Sequence, residues 1–263
     1  MAISKEKKIL WIFLHLPKTG GTTFSEHIIN NFKPEEILST SELRYDSINP
    51  EIKKDKIKFI LGHASYYGIH KMFPGRVPRY IVFLREPAER FVSGYNFEMR
   101  TKKGENISFW RWYDSQTKNE MVHFLDMKYR GKEGTRINLP KATFKLHMKI
   151  SKYKKVYMFL QTISNTYISF FHSSKKVQEK KLENAKRMID LCWHVGFVSE
   201  LDKSLKYLFK EIGIPQKWKN KNITGKSEKF FVLDEETRKS LCDDNNLDVE
   251  IYKYAKVLKQ NGH

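Results

Sequence analysis

Four stretches of this 263-residue chain are apolar at successive positions: "KILWIFLHL" (8–16), "IKFILGH" (57–63), "RYIVFLRE" (79–86) and "KVYMFLQ" (155–161), with a weaker fifth at "HVGFVS" (194–199). A strand with one wet face alternates polar and apolar residues. Unbroken apolar character requires cover on both faces, which a parallel sheet between helix layers provides. Helical spacing fills the intervals. Phe24, Ile28, Ile29 and Phe32 recur on one side of a segment ended by Pro34. After Pro87, which suits a first helical turn, Phe91, Tyr95 and Met99 share a face. "KKLENAKRMIDLC", "ELDKSLKYLFKEIGI" and "LDVEIYKYAKVLKQ" are amphipathic, the second closed by Gly213 before Pro215. Strands alternating with helices predict a parallel α/β sandwich.

The first strand runs into "HLPKTGGTTF" (15–24). A strand that ends in a tight glycine loop and turns into a helix aims backbone N–H groups and the positive helix end at one point, an anion site. Lys18 adds a mobile cation, Gly20 and Gly21 allow close approach of the backbone to a phosphate, and Thr22 and Thr23 are placed to donate hydroxyls and cap the helix. An ordinary βα turn is the alternative; a lysine and paired glycines directly after a buried strand weigh against it. The order also differs from GxxxxGK[ST], because Lys18 precedes the glycines and no glycine lies five residues before Gly20. A generic ATPase or kinase is therefore disfavoured.

A formal net charge of +19 implies anionic partners, whether nucleotide phosphates, acidic glycans, nucleic acid or a membrane surface. Cys192 and Cys242 are too few for a disulfide framework and lack zinc-ligand spacing, so both read as small buried apolar residues. The basic N-terminus precedes an apolar run of only about eight residues with no small-residue cleavage site, unlike a signal peptide. No segment approaches the roughly 18 apolar residues of a membrane span. The expectation is a soluble, cytoplasmic chain, or one from which an anchor has been removed. Residues 1–263 read as one domain, with the least periodic part, about 100–153, as a helical insertion or lid.

The second informative stretch is "RYIVFLREPAERFVSGYNF" (79–97), where Arg85 ends a strand and Ser93 follows two turns into a helix. A guanidinium and a hydroxyl there could converge on a second phosphate. Taken alone, Arg85 reads as a surface ion pair to Glu86 or Glu89. The pairing of "PKTGGTTF" with "FLREPAERFVSGY" resembles the sulfotransferases that use 3′-phosphoadenosine 5′-phosphosulfate (PAPS), and more narrowly the carbohydrate group that includes heparan sulfate 6-O-sulfotransferases and bacterial relatives. The resemblance implies a P-loop-like, three-layer α/β sandwich whose central parallel sheet is flanked by helices. It places Pro17, Lys18, Thr19, Gly20, Gly21, Thr22 and Thr23 around the 5′-phosphosulfate, and Arg85 and Ser93 on the 3′-phosphate. "LGHASYYGIHKMFP" (61–74) resembles the family's Gly-His segment, whose histidine, here His63, is the proposed catalytic base. "NEMVHFL" (119–125) is similar to a family helix; His123 stands where arginine is usual and takes no role. In "NKNITGKSEKF" (220–230), Lys221, Thr224, Lys226 and Ser227 either close over the cofactor's phosphates, as a related loop does in the family, or form a solvated turn.

Sulfuryl transfer to an alcohol is an in-line displacement in which positioning and charge stabilisation dominate, by analogy with phosphoryl transfer. A histidine titrating near neutrality suits removal of the acceptor proton, and Lys18 suits the oxygen that leaves with the 5′-phosphate. His63 is the expected base and His70 the alternative; His15 reads as packed on or beside the strand. The chemistry demands no metal, and the resemblance implies PAPS as the donor and 3′-phosphoadenosine 5′-phosphate (PAP) as the product. The acceptor is expected to be a glycan or glycoconjugate, with an anionic one suited to the charge and no specific nucleic acid implied. Arg100, Lys102, Lys103, Trp110, Arg111, Trp112 and Tyr113 either line a glycan groove or are core aromatics with a solvated face. Two other classes stay open: an atypical nucleotide kinase or NTPase, and a non-catalytic binder of polyanions driven by charge.

Overall fold

The computed structural model describes residues 8–40, 54–101, 107–130, 174–218 and 230–260. Five strands form one parallel sheet: β1 (Ile9–Leu14), β2 (Ile37–Ser39), β3 (Phe59–Gly62), β4 (Val77–Leu84) and β5 (His194–Phe197), in the order β2-β3-β1-β4-β5. Eight α-helices are described: α1 (Gly21–Asn31), α2 (Pro87–Thr101), α3 (Phe109–Asp114), α4 (Glu120–Arg130), α5 (Lys175–Asp190), α6 (Leu201–Ile212), α7 (Glu235–Asp244) and α8 (Asn246–Gln260).

Alternation of side chains along each strand divides the core in two. Leu10, Ile12 and Leu14 of β1, with Ile60, Val82 and Leu84, pack with Met121 and Leu125 of α4, Met188 and Ile189 of α5 and Ile251 of α8. Trp11 and Phe13, with Phe59, Ile81 and Phe83, face Phe24 and Ile28 of α1 and Leu205, Leu208 and Phe209 of α6. These are the three layers expected. Phe13, Phe24, Phe83 and Phe209 are completely buried, each worth roughly 1.5–3 kcal/mol of apolar transfer. A separate cluster joins α2, α3 and α7 through Phe91, Tyr95, Phe109, Trp112, Tyr113 and Leu241.

Some details depart from the periodicity. Helix α1 ends at Asn31, with Phe32 already extended, and Ile29 is 55% exposed, outside the apolar stripe. β2 has three residues, too few to leave a pattern, and is placed by pairing with β3 at the sheet edge. "KVYMFLQ" lies outside the described residues, as does much of the proposed insertion at 100–153. Gly213 closes α6 in the left-handed conformation, φ 80°, with its N–H reaching the carbonyls of Phe209 and Lys210.

Register is what assembles the functional end. Leu14 of β1 stands opposite Gly62 of β3 and Val82 of β4. His15 and His63 therefore emerge side by side at the carboxyl edge, and Arg85 leaves β4 two residues further on. There the chain order switches sides of β1, the usual position of a ligand crevice in an open α/β sheet.

Candidate active site

A cavity of about 880 Å³ opens over that edge, a size suited to a nucleotide. One wall is the loop after β1, with Pro17, Lys18, Gly20, Gly21, Thr22 and Thr23; His15 and His63 lie beside it. Arg85 just before α2 and Glu89, Ser93 and Asn96 within it, Ser199 to Lys203 at the entry to α6, and Phe231 to Leu233 with Arg238 complete the lining.

The loop's shape follows from its sequence. Gly20 is the residue before α1, in the left-handed conformation at φ 81°, and a Cβ there would meet Leu201 at 2.6 Å. At Gly21 a Cβ would lie 2.4 Å from His15 and 2.8 Å from Phe13. Lys18 itself has φ 66°, a left-handed conformation that side chains rarely adopt and that is found where a site over-determines the backbone. Its ammonium lies 3.7 Å from the centre of the Phe97 ring. Desolvation, with Arg100 and Arg85 adding to it, lowers the Lys18 pKa to about 8. That environment would welcome an anion.

The threonines behave differently from one another. The Thr19 hydroxyl is fully buried and donates to the Leu16 carbonyl at 2.8 Å, so it ties the loop together and faces away from the cavity. Thr22 and Thr23 do not take the capping position: Gly20 holds it, and no side-chain cap is recorded for α1. Their place in the first turn comes from the backbone twist at Gly20.

Arg85 lines the cavity, and its Nε lies 3.5 Å from Glu89, the ion pair its sequence offered. Ser93 is half-buried on the same wall. Glu86 caps α2 by accepting from the Glu89 N–H at 2.8 Å and pairs with Arg238 at 3.0 Å. Arg238, far off in sequence, thus becomes a cavity residue that no local motif announced.

His63 is exposed to the cavity, and its Nδ1 lies 2.8 Å from the His15 carbonyl oxygen. A carbonyl can only accept, so Nδ1 carries a proton, and Nε2 is the nitrogen that a neutral ring would offer to a proton. The ring stacks on His15, centroids 4.3 Å apart. Burial, then the neighbouring His63, pushes the His15 pKa down to about 4, which keeps that ring neutral. His70 is elsewhere, sharing a 2.8 Å hydrogen bond with the Tyr80 hydroxyl, and is not a cavity residue.

Other expectations are redistributed. Trp112 and Tyr113 belong to the α2–α3–α7 core, Trp112 donating to Glu98 at 2.7 Å, whereas Trp110 is 43% exposed and Arg111 is exposed. Lys102, Lys103, Lys221, Thr224, Lys226 and Ser227 lie outside the described residues. Cys192 and Cys242 are half-buried free thiols, and burial pushes both above the usual range, Cys242 to about 11. Among the described residues no group of three His, Cys, Asp or Glu side chains is placed to hold a metal ion, and no helix is long and apolar enough to cross a membrane.

A parallel three-layer fold with a lysine- and glycine-bearing loop after its first strand defines an α/β protein with a crevice at the carboxyl edge of its sheet. The whole-chain comparison makes that class specific: residues 1–255 match the profile of the Sulfotransferase family, and the chain belongs to it. It is a sulfotransferase, and membership implies PAPS as the sulfate donor. Heparan-sulfate 6-O-sulfotransferase 1 of Cricetulus griseus is 25% identical over 278 residues, 95% of this chain and 67% of that protein. Heparan sulfate 2-O-sulfotransferase 1 of Gallus gallus is 30% identical over 111 residues, 37% of this chain and 31% of that protein. The chain spans about two thirds of the length of its 6-O relatives, 65% for that of Homo sapiens. A sulfotransferase crystal structure from Alicyclobacillus acidocaldarius aligns over 93% of this chain and 94% of that one, at 12% identity and a TM-score of 0.43.

Proposed function

We propose that the chain transfers a sulfuryl group from PAPS to a hydroxyl of a glycan or glycoconjugate, with His63 as general base and Lys18 stabilising the leaving oxygen. The observation that carries this reading is the convergence in one cavity of the Lys18 loop, Arg85 with Ser93, and a histidine whose Nδ1 is held by the His15 carbonyl. Glycine at 20 and 21 lets Leu201, His15 and Phe13 close against the loop and hold its shape, and the desolvated Lys18 gains from a bound anion. These features fit the donor's 5′ end. Arg85 and Ser93 are proposed for its 3′-phosphate.

In the transfer, His63 Nε2 takes the acceptor's proton as the new S–O bond forms. Lys18 and the N–H groups at the start of α1 balance the charge on the oxygen released with the 5′-phosphate. PAPS supplies the activated sulfuryl group. The family resemblance alone carries Thr224, Lys226 and Ser227 as further phosphate contacts. The names of the matched relatives support a carbohydrate acceptor, and the charge of +19 supports an anionic one. A cytoplasmic location and the single domain over 1–263, with 100–153 as insertion or lid, belong to the same proposal.

Thermal stabilisation by PAP, compared with ATP and AMP, tests the reading. Selective stabilisation by PAP that is lost in Arg85→Ala and Ser93→Ala is expected. Equal responses to ATP and PAP would overturn it in favour of a general nucleotide site.

A further inference from the structure

The segment that bears His63 is held from two directions by residues with no part in the transfer proposed above. On one side is His15. Its carbonyl accepts the His63 Nδ1–H at 2.8 Å, and its ring lies against the His63 ring at 4.3 Å with 22° between planes. The His15 ring is itself confined: Phe13 stacks on it at 5.2 Å, and the tight space at Gly21 shows that it touches the first residue of α1. His15 stands two residues before the phosphate loop, so one residue spans the gap between the cradle and the base. On the other side is Lys128 of α4, only 5% exposed. Its ammonium donates to the His63 carbonyl, and its own carbonyl accepts the Tyr67 N–H at 2.8 Å. Lys128 thus grips the turn after β3 at two points with two different groups.

We propose that His15 and Lys128 are positioning residues for His63: His15 sets the imidazole in register with the phosphate loop, and Lys128 fixes the main chain that carries it. The inference rests on the assignment of His63 as base. An acceptor hydroxyl must meet Nε2 at hydrogen-bond distance while attacking sulfur held in the cradle, so the separation of base and cradle is the quantity under control. His15 does this through shape and its main-chain oxygen. A phenyl ring can replace its imidazole.

The test combines turnover, binding and an imidazole spectrum in the full chain. With PAPS and desulfated heparin, His15→Ala is expected to lower kcat roughly 10- to 100-fold and His15→Phe to recover most of that loss. Lys128→Met, which keeps length and removes the donor, is expected to lower kcat about tenfold, with Lys128→Arg restoring much of it. The PAP dissociation constant should stay within about threefold in all four, since displaced catalytic groups affect kcat without uniform loss of binding. Long-range proton–nitrogen NMR of the imidazoles should show a single Nδ1–H tautomer for His63 in the wild type and a mixture in His15→Ala and Lys128→Met. Unchanged tautomer and kcat in both those variants would overturn the proposal. So would His15→Phe as damaged as His15→Ala, or PAP affinity falling in step with kcat. A wild type that neither binds PAP nor sulfates would defeat the functional reading instead, while the spectrum would still decide whether the brace exists.

Discussion

Two sets of helix starts in this molecule meet the same physical need in opposite ways. The first N–H groups of any α-helix lack intrahelical acceptors. At α4 the buried Asp248 carboxylate accepts from Met121 and Val122 at 3.0 and 2.9 Å, and at α8 the Asn119 amide oxygen accepts from Leu247 and Asp248 at 3.0 and 3.1 Å. The two helices cap each other. At α1 the residue before the helix is Gly20, with no side-chain acceptor recorded, and the surroundings are cationic: Lys18 and Arg85 line the same cavity. A built-in carboxylate closes the first site. At the second, the function proposed above leaves the corresponding anion to the ligand.

Removing the built-in anion should have the largest effect. Asp248→Ala strands two buried N–H groups and is expected to cost about 3 kcal/mol or more in urea unfolding, by the usual cost of charged hydrogen bonds. Burial raises the Asp248 pKa to about 6, against the pull of Arg90 and the two N–H donors. Its folded pKa lies above the unfolded one, so the native state binds more protons between roughly pH 4 and 6, and this group's contribution to stability falls as pH rises through that window. Asp248→Asn keeps one acceptor without the charge and should lose less than Asp248→Ala at pH 7. An equal loss would mean that charge, rather than capping, is what the site needs.

Lys18→Gly sharpens the other half of the comparison. The left-handed φ of 66° suits glycine, so apo stability should rise by roughly 1 kcal/mol in thermal melts. Meanwhile kcat should fall about 100-fold, or close to 2.7 kcal/mol of transition-state stabilisation. Stability and turnover moving in opposite directions would mark a residue kept for chemistry at a conformational cost. A fall in both would make Lys18 structural.

The contrast also explains what could be read before folding was considered. Continuous apolar strands, the glycine loop and Arg85 with Ser93 are local patterns. They converge because neighbouring parallel strands end in register, so the cradle and His63 were legible together. Thr19 turning inward was not, since its acceptor, the Leu16 carbonyl, is set by the loop's own curl. Nor were the roles of Thr22 and Thr23, because a left-handed Gly20 displaces side-chain capping. Arg238, Lys128 and the reciprocal caps join segments 65 to more than 150 residues apart. Such contacts leave no periodicity. β2, with three residues, leaves none either.

The next effect is one of protonation. With Lys18 lowered to about 8 chiefly by desolvation, the apo protein loses that charge as pH rises through 8, and a bound phosphate group should raise the pKa again. PAP binding at pH 8.5 is therefore expected to take up a fraction of a proton, seen in calorimetry as heat that depends on the buffer. Affinity should weaken by up to about tenfold per pH unit above 8. Lys18→Met should abolish the uptake. If uptake persists in that variant, another group in the cavity is being titrated.

The smallest effect should come from Thr22→Ala, and it tests the comparison at its finest point. A threonine that capped α1 would cost about 1 kcal/mol on removal. Here Gly20 sets the helix start and Thr22 sits half-buried on the cavity wall, so apo stability should change by less than about 0.5 kcal/mol. If the open helix end is reserved for a ligand, the same change should instead appear on binding. Loss of one hydroxyl-to-phosphate hydrogen bond, at the low end of the range for charged acceptors, corresponds to about a tenfold weaker PAP dissociation constant. A destabilised apo protein with unchanged PAP affinity would reverse the assignment, making Thr22 part of the frame and leaving the N–H groups of α1 to hold the anion with Lys18 alone.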